Sequence, residues 1–245
     1  PIDHRGQHLE LTIRRPANWF GQMLKTELEA LGVRIDGGVE AINWNERLLK
    51  PLPRQKLRHV VSVPSPPILE LTRHMVKDSQ NLYAQLLLLQ AGMKYPQSNM
   101  NTEESAIADL QRFIQKAGIN SSEVQLEEGS GLSRRSLTTP NAIVQLLVHM
   151  SRHRRASEFA STLAIAGRDG TLANRMKGSF AENNLHGKTG TLHGITALSG
   201  YLTNRGGQKI AFSILLNQHT QSSASARLAI DNIALTIANS DLRMK

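Results

Sequence analysis

The sequence predicts an α+β fold, with helices through most of the first two thirds of the chain and an antiparallel sheet in the last third. Apolar residues recur at three- and four-residue spacing in several early segments, which is the period of an amphipathic helix. After residue 186 the pattern changes to short runs bounded by glycine, which is typical of strands. The turn sequence Arg205-Gly206-Gly207-Gln208 predicts that the last two strands are antiparallel neighbours.

The first patterned segment predicts a helix from Pro16 to Gly32, because its apolar residues lie three or four apart and glycine ends it. The run Val33-Arg34-Ile35-Asp36 then predicts a short strand. Residues 50–56 are basic and contain two prolines, which predicts an exposed connection. We therefore expect a domain boundary shortly after this stretch.

The run Ser65-Pro66-Pro67 predicts a helix start, because a hydroxyl can cap the first turn and proline costs nothing where an amide lacks a partner. That helix is predicted to reach Lys77 and the next to begin near Asn81, which places Ser79 and Asn81 at a helix-helix joint. The other predicted elements of this region are helices at 81–92, 103–117 and 140–153 and a glycine-rich loop at 128–133.

Three strands and a final helix are predicted in the last third of the chain. The strands are 186–191, 196–203 and 209–216, and the helix is 222–238. We expect this helix to pack on the sheet, and a cleft to lie between the sheet and a helical cluster formed by residues 65–160.

The composition narrows the class of protein. The chain has 245 residues, a formal charge of +9 and an isoelectric point near 10.2, which would attract any anionic surface. It has no cysteine, which excludes disulfides and thiol catalysis. Its longest apolar run, Leu86 to Leu89, is far short of the about 20 residues that span a membrane. Without an initiator methionine or an apolar signal segment at its start, the sequence is expected to begin within a longer protein or after processing.

The run Lys188-Thr189-Gly190-Thr191 opens the first of these three strands. A lysine ammonium and a hydroxyl can bind a carboxylate, and glycine lets a substrate backbone lie against the strand edge. The alternative is a glycine-flanked turn with a surface lysine, and the short motif alone does not decide between them. A pair such as Ser79-x-Asn81 is expected about once by chance in this composition, so its significance comes from its position at a predicted helix joint upstream of this strand.

Four blocks of the sequence carry a specific resemblance: 65–84, 129–134, 166–172 and 187–202. In this order they resemble the D-alanyl-D-alanine carboxypeptidase/endopeptidase family, peptidase family S13, also called the class C low-molecular-mass penicillin-binding proteins. The resemblance runs from about residue 14 to the end of the chain. It implies a serine β-lactamase/DD-peptidase-like fold, in which helices flank an antiparallel sheet beside an all-helical cluster.

The resemblance also implies roles for two motifs. Ser79 would relay a proton toward the leaving amine, Asn81 would hold the substrate backbone amide, and Lys188 would keep the site positive and the Ser79 network ordered. The implied substrate-binding residues are Thr189 for the terminal carboxylate, Gly190 for the substrate backbone and Thr191, whose backbone N–H would be an oxyanion donor.

The family's first motif, a serine followed three residues later by a lysine, does not occur in this sequence. The nucleophile and its partner lysine are therefore missing. The serine of Gly129-Ser130-Gly131 does not form a hydrolase nucleophile elbow, because Glu128 stands where that motif needs glycine. The chain further departs from the family at three positions. Gln80 stands where the family usually has an acidic residue, Gln85 where it usually has Glu, and Glu128 where it usually has Asp.

The resemblance implies that residues 1–62 are the tail of an inserted accessory domain and that residues 63–245 are the C-terminal part of the penicillin-binding domain. We expect a periplasmic bacterial serine-type peptidase that acts on peptidoglycan stem peptides and binds β-lactams. Its signal peptide is not in this chain, and the chain is expected to be inactive without the missing N-terminal segment that carries Ser-x-x-Lys. The alternatives are a non-catalytic remnant that binds peptidoglycan or a partner protein, and a related β-lactamase or esterase.

Two clusters of histidine and arginine residues could suggest a zinc site or a nucleic-acid site, but neither is favoured. His149 and His153 have the spacing of zinc ligands on a helix, but no carboxylate or third ligand accompanies them, which favours a solvated face. The run Arg152-His153-Arg154-Arg155 comes with no nucleic-acid fold signature and no aromatic stacking pattern. We expect no metal, cofactor, nucleic-acid partner or transmembrane segment.

Overall fold

The structure, a computed structural model, describes residues 12–241 apart from 54, 56 and 98. The chain divides into two compact units, Pro1–Val63 and Pro64–Lys245. This division falls one residue after the boundary predicted from the sequence. The interpretation of the first unit as the tail of an inserted domain stays a prediction.

The described part of the first unit contains two helices, α1 (Pro16–Ala30) and α2 (Trp44–Leu49). α1 confirms the predicted helix, and the chain leaves it through Gly32, whose φ of +84° suits glycine. α2 was not predicted. It begins at a capping box in which the side chains of Asn43 and Glu46 each accept a hydrogen bond from the other residue's backbone amide.

The strand predicted for Val33-Arg34-Ile35-Asp36 is wrong. These residues have no regular structure, because the described part of this unit contains no strand with which they could pair. Val33 is accordingly 47% exposed. The predicted connection at 50–56 is confirmed for its described residues, all of which are exposed; residues 54 and 56 lie outside the described residues.

The second unit begins with a cluster of five helices. They are α3 (Ile68–Lys77), α4 (Asn81–Lys94), α5 (Thr102–Lys116), α6 (Pro140–Ser151) and α7 (Ala156–Thr162). The predicted helices are confirmed with ends that differ by a few residues, whereas the short α7 was not predicted. α4 and α5 approach closely at Gly92, where a Cβ would lie 2.0 Å from the backbone oxygen of Thr102.

The start of α3 corrects one expectation. Ser65 does not cap the helix; its hydroxyl donates to the carbonyl oxygen of Pro66 at 3.1 Å, and Pro67 is the N-cap residue. The reason is that a residue before proline is disfavoured in the helical region, so Pro66 cannot begin a helix ahead of Pro67. The helix therefore starts at Ile68, out of reach of the serine.

A four-stranded antiparallel sheet occupies the end of the chain. Its strands are β3 (Ala164–Ile165), β4 (His186–Leu192), β5 (Ile195–Thr203) and β6 (Lys209–Asn217), in that spatial order. Two shorter strands, β1 (Val124–Gln125) and β2 (Leu137–Thr138), pair separately. The three predicted strands and the turn between β5 and β6 are confirmed, while β3, with only two residues, was not predicted.

The final helix, α8 (Ser223–Asn239), packs on one face of the sheet as predicted. Burial alternates along β5 with a period of two, so that Leu198 and its alternate neighbours face α8 and contact a core that includes Ile230 and Ala234. The opposite face meets the helical cluster, where the Tyr201 hydroxyl donates to the carbonyl oxygen of Leu147 at 2.6 Å. Successive residues of the strands therefore point either into the α8 core or toward the helical cluster.

Candidate active site

The joint between α3 and α4 (Asp78–Gln80, the α3–α4 joint) holds Ser79 in an uncommon backbone conformation. The amide of Gln80 donates to the carbonyl oxygen of Met75 at 3.0 Å, which is the long hydrogen bond of a Schellman C-cap. The left-handed residue of such a cap is usually glycine, but here it is Ser79, with φ +58°. Because this conformation costs a residue with a Cβ about 1–2 kcal/mol, serine at this position indicates a role for its hydroxyl.

Ser79→Gly is expected to be more stable than Ser79→Ala by about 1 kcal/mol in free energy of unfolding. Both variants lose the hydroxyl, so the difference between them isolates the backbone strain that glycine relieves. Denaturant unfolding of the isolated chain measures it. If the two variants unfold at the same denaturant concentration, the α3–α4 joint is not strained at this residue.

Lys188 reaches this serine from β4. Its Nζ lies 2.6 Å from Ser79 Oγ and 2.7 Å from the carbonyl oxygen of Thr189. Because an ammonium group only donates hydrogen bonds, the serine oxygen accepts here and the hydroxyl proton is left for a third group. Burial lowers the pKa of Lys188 to about 8. The ammonium form therefore still predominates by about tenfold at pH 7, and the site loses its charge as the pH rises above about 8.

One edge of β4 is open beside this lysine. β3 pairs only with His186 and Gly187, so within the described residues no strand covers that edge from Lys188 to Leu192. A cavity of about 390 Å³ lies between the open edge and the α3–α4 joint. The structure brings all six predicted site residues to its lining: Ser79, Asn81, Lys188, Thr189, Gly190 and Thr191. The predicted cleft between the sheet and the helical cluster is thereby confirmed.

The glycine-rich loop forms another wall of the cavity, and Glu128 orders it. Its carboxylate accepts hydrogen bonds from the backbone amides of Ser130, Gly131 at 2.9 Å and Ser133 at 3.1 Å. Burial opposes ionisation of this carboxyl, but hydrogen bonds from the loop outweigh it and hold the pKa of Glu128 below its usual value. A carboxylate at position 128 therefore fixes the loop through its own charge.

Gln85, the other departure in this region, ties the same loop to α5. Its Oε1 accepts from the amide of Gly129 at 2.7 Å, and its Nε2 donates to Glu103 Oε1 at 2.5 Å. A glutamate at position 85 would set two carboxylates against each other, whereas the amide donates to Glu103 and still accepts from the loop. Glutamine therefore suits its neighbours. Gln80, the third departure, lines the cavity itself.

Two side-chain contacts beside the cavity were not predicted. Thr189 Oγ1 lies 2.9 Å from Thr171 Oγ1, and Lys77 Nζ lies 2.5 Å from Asp169 Oδ2. The only signal for them in the sequence is that Asp169 and Thr171 belong to one of the four blocks of the family resemblance, at 166–172.

Among the described residues, no group of three or more His, Asp or Glu side chains is placed to hold a metal ion. The rings of His149 and His153 lie 6.2 Å apart, and His149 packs edge-on against Phe113. None of the helices in the described ranges combines the length and the apolar character that crossing a membrane requires.

The sequence profile of the D-Ala-D-Ala carboxypeptidase 3 (S13) family matches residues 1–238. The chain belongs to this family. Curated relatives include a D-alanyl-D-alanine carboxypeptidase of an Actinomadura species, 31% identical over 233 residues, and the D-alanyl-D-alanine carboxypeptidase DacB of Haemophilus influenzae, 26% identical over 214 residues. The matches cover 93% and 86% of this chain but 41% and 43% of those relatives. This S13 chain therefore spans less than half the length of the curated relatives it matches.

Solved structures agree with this assignment. Penicillin binding protein 4 (DacB) from Haemophilus influenzae, complexed with a β-lactam, has a TM-score of 0.74 and 22% identity, and the match covers 94% of the S13 chain and 53% of that structure. Another structure of the same protein has a TM-score of 0.71 and 26% identity, over 86% and 45% of the two chains. The predicted family and fold class are confirmed, while the roles of the six site residues stay predictions.

Proposed function

We propose that this chain is the substrate-binding and proton-transfer part of a serine-type D-Ala-D-Ala carboxypeptidase/endopeptidase acting on peptidoglycan peptides. The observation that carries the proposal is the 2.6 Å contact between Lys188 Nζ and Ser79 Oγ beside the open edge of β4. This contact joins the Ser-x-Asn motif to the Lys-Thr-Gly motif in the wall of the cavity of about 390 Å³. The family membership of the chain supports the same reaction.

The substrate is a stem peptide that ends in D-alanine or continues into a crosslink. Its backbone lies as an extra strand along the open edge of β4, where Gly190 offers no side chain to obstruct it. Lys188 and Thr189 attract and bind its terminal carboxylate, since the ammonium keeps the site positive below about pH 8. Asn81 holds a backbone amide of the substrate from the opposite wall.

The reaction is acyl transfer to a serine, followed by hydrolysis. The backbone N–H of Thr191 is one of the two donors to the oxyanion that forms on the attacked carbonyl. Ser79 passes a proton toward the leaving amine, because Lys188 donates to its oxygen and leaves the serine proton available. Lys188 thereby orders the serine as well as charging the site.

The nucleophilic serine comes from a segment outside this chain. None of the 245 residues is a serine with a lysine three residues later, and this chain spans less than half of its curated relatives. The isolated chain is therefore inactive. Among the described residues, β6 is paired on one side only, and its apolar sequence suits pairing with a strand of that missing N-terminal segment.

The location that suits this chemistry is the bacterial periplasm, where peptidoglycan lies. The positive charge of the chain favours approach to an anionic wall. Penicillin binding protein 4 of Haemophilus influenzae forms a complex with a β-lactam. In this proposal β-lactams bind to the present chain in the substrate cavity, with their carboxylate at Lys188 and Thr189.

Fluorescent penicillin tests the proposal. The chain alone is expected to remain unlabelled, and the chain combined with the segment that carries Ser-x-x-Lys is expected to yield a covalent adduct on that segment. Excess unlabelled benzylpenicillin should suppress the adduct, and heat-denatured protein serves as the blank. No labelling in the combined sample would refute the function.

The second candidate is a non-catalytic protein that binds wall peptides through the same cavity. The absence of Ser-x-x-Lys from the sequence favours it. It predicts that D-alanyl-D-alanine perturbs the amide resonances of Thr189 and Thr191 in the isolated chain, while no upstream reading frame encodes the missing motif. An upstream Ser-x-x-Lys in frame with this chain would discard it.

A further inference from the structure

A part-buried ion pair fixes the end of α3 two residues before Ser79. Lys77 Nζ lies 2.5 Å from Asp169 Oδ2, and the two side chains are only 17% and 31% exposed. The other carboxylate oxygen, Oδ1, accepts a hydrogen bond from the amide of Ile165 at 2.8 Å, which holds Asp169 in place. Burial opposes ionisation of this carboxyl, but Lys77 and the Ile165 amide outweigh it and keep the pKa of Asp169 below its usual value.

The next residue, Gly170, packs closely against the C-terminal end of α3. Its φ is +55°, and a Cβ at this position would lie 2.5 Å from the carbonyl oxygen of Lys77 and 3.0 Å from Cβ of Ala164. No side chain fits there. The backbone of this segment is therefore in contact with the last turn of α3, immediately upstream of the strained Ser79.

The residue after that, Thr171, contacts the other half of the site. Its hydroxyl oxygen lies 2.9 Å from the hydroxyl oxygen of Thr189 on β4. Side chains alternate along a strand, so Lys188 points toward the helical cluster while Thr189 points away from it. Thr189 is half-buried, and its contact with Thr171 restricts the rotamer of its side chain.

We propose that Asp169, Gly170 and Thr171, which we name the Asp169–Thr171 brace, hold Ser79 and Thr189 at a fixed distance and orientation on the two sides of the site. The inference rests on the proposed function of the site. Asp169 acts through Lys77 and the end of α3 on Ser79, and Thr171 acts through the hydroxyl of Thr189. They are positioning residues, since neither touches the reacting atoms in this arrangement.

The physical need for such a brace comes from strain and distance. Ser79 occupies a left-handed conformation, which persists only where surrounding contacts enforce it. Thr189 lies on a different element, and its alignment with Ser79 depends on how β4 sits against α3. Three consecutive residues contact both elements, so a displacement of one side is transmitted to the other.

The first test replaces Asp169 by asparagine in the isolated chain and titrates Lys188 by NMR with [ε-¹³C]lysine. Asparagine keeps the acceptor for the Ile165 amide but removes the charge that holds Lys77. If the α3–α4 joint loosens, water reaches Lys188, and its pKa is expected to rise from about 8 by about half a unit or more, roughly threefold in the protonation equilibrium. The resonance is assigned by its absence in Lys188→Met.

The matched control is Asp231→Asn. Asp231 forms another part-buried ion pair, with Arg175 at 2.5 Å, and the side chains are 11% and 13% exposed. Asp231→Asn removes the charge from this ion pair. It is expected to lower the melting temperature at least as much as Asp169→Asn does and to leave the pKa of Lys188 unchanged. An equal shift of the Lys188 pKa in both variants would mean that Asp169 contributes only general stability, and no shift in Asp169→Asn would overturn its positioning role.

The second test compares Thr171→Val with Thr171→Ser. Valine has the shape of threonine but no hydroxyl, so Thr189 is expected to average over χ1 rotamers, which three-bond couplings to its methyl carbon report. Serine keeps the hydroxyl and is expected to restore the single rotamer. One unchanged rotamer in Thr171→Val would overturn the role of Thr171.

These measurements need no turnover. A failure of the penicillin-labelling experiment therefore leaves them intact, and it refutes the reaction without touching the brace. Unchanged Lys188 and Thr189 signals in the two variants, together with successful labelling of the combined wild-type sample, refute the brace alone.

Discussion

Lys188→Met is expected to slow acylation by benzylpenicillin by about two to three orders of magnitude in the combined sample of this chain and the nucleophile-bearing segment. Two losses combine. The Nζ that lies 2.6 Å from Ser79 Oγ disappears, so the serine is no longer oriented to pass on its proton. The positive charge that attracts the carboxylate disappears too. Stopped-time labelling with fluorescent penicillin measures the second-order rate constant.

Lys209→Met is the matched control for this change. Lys209 is exposed at the start of β6, so its replacement removes the same charge from the same sheet without touching the cavity. Its labelling rate is expected to stay within about twofold of wild type, as befits an exposed charge with no partner in the site. A loss below tenfold in Lys188→Met would exclude Lys188 from the proton-transfer and carboxylate-binding roles.

Gly200→Ala is expected to lower the free energy of unfolding by about 1–3 kcal/mol or more and to displace β4. Gly200 pairs with Gly187 in the β4–β5 register, and a Cβ there would lie 2.0 Å from the backbone oxygen of His186 and 2.6 Å from Cα of Gly187. Backbone atoms cannot rotate away, so the two strands must separate. Lys188 follows directly in the chain and moves with them, which should also slow labelling in the combined sample.

Gly190→Ala provides the contrast. A Cβ at this position would meet only Cβ of Ala197, at 3.4 Å, so the fold is expected to tolerate it with a melting temperature near that of wild type. The added methyl group projects from the sheet face that lines the cavity, beside the bound substrate backbone, so labelling should still fall. If Gly200→Ala were as stable as Gly190→Ala, the close approach of β4 and β5 would not be what sets the position of the lysine.

The sequence predicted the elements that carry their own signals. β4, β5 and β6 were placed to within a residue or so because glycines bound them and a turn joins the last two. α2, α7, β1, β2 and β3 were missed because short elements repeat a pattern at most about twice and depend on their neighbours. The Val33 segment has the composition of a strand, but among the described residues of its unit it has no partner strand.

In the site, too, residues with a local sequence signal were predicted and residues that depend on distant contacts were not. The cavity brings together the six residues predicted from the two motifs, because a helix joint and a strand start are both visible as local patterns. Asp169 and Thr171 were not assigned a role from the sequence. Nothing in a run of Asp, Gly and Thr states which distant residues it will contact.

By itself, the sequence determined the α+β class, the order of the longer helices and strands, the two motifs and the absence of Ser-x-x-Lys from this chain. Only the tertiary structure decided that Ser79 is left-handed, that the pKa of Lys188 falls to about 8 and that Asp169 and Thr171 meet both sides of the site. The reason is separation along the chain. The contacts of Lys188 with Ser79, of Lys77 with Asp169 and of Thr189 with Thr171 join residues that are 109, 92 and 18 positions apart. The burial that lowers the pKa of Lys188 exists only once those segments have packed together.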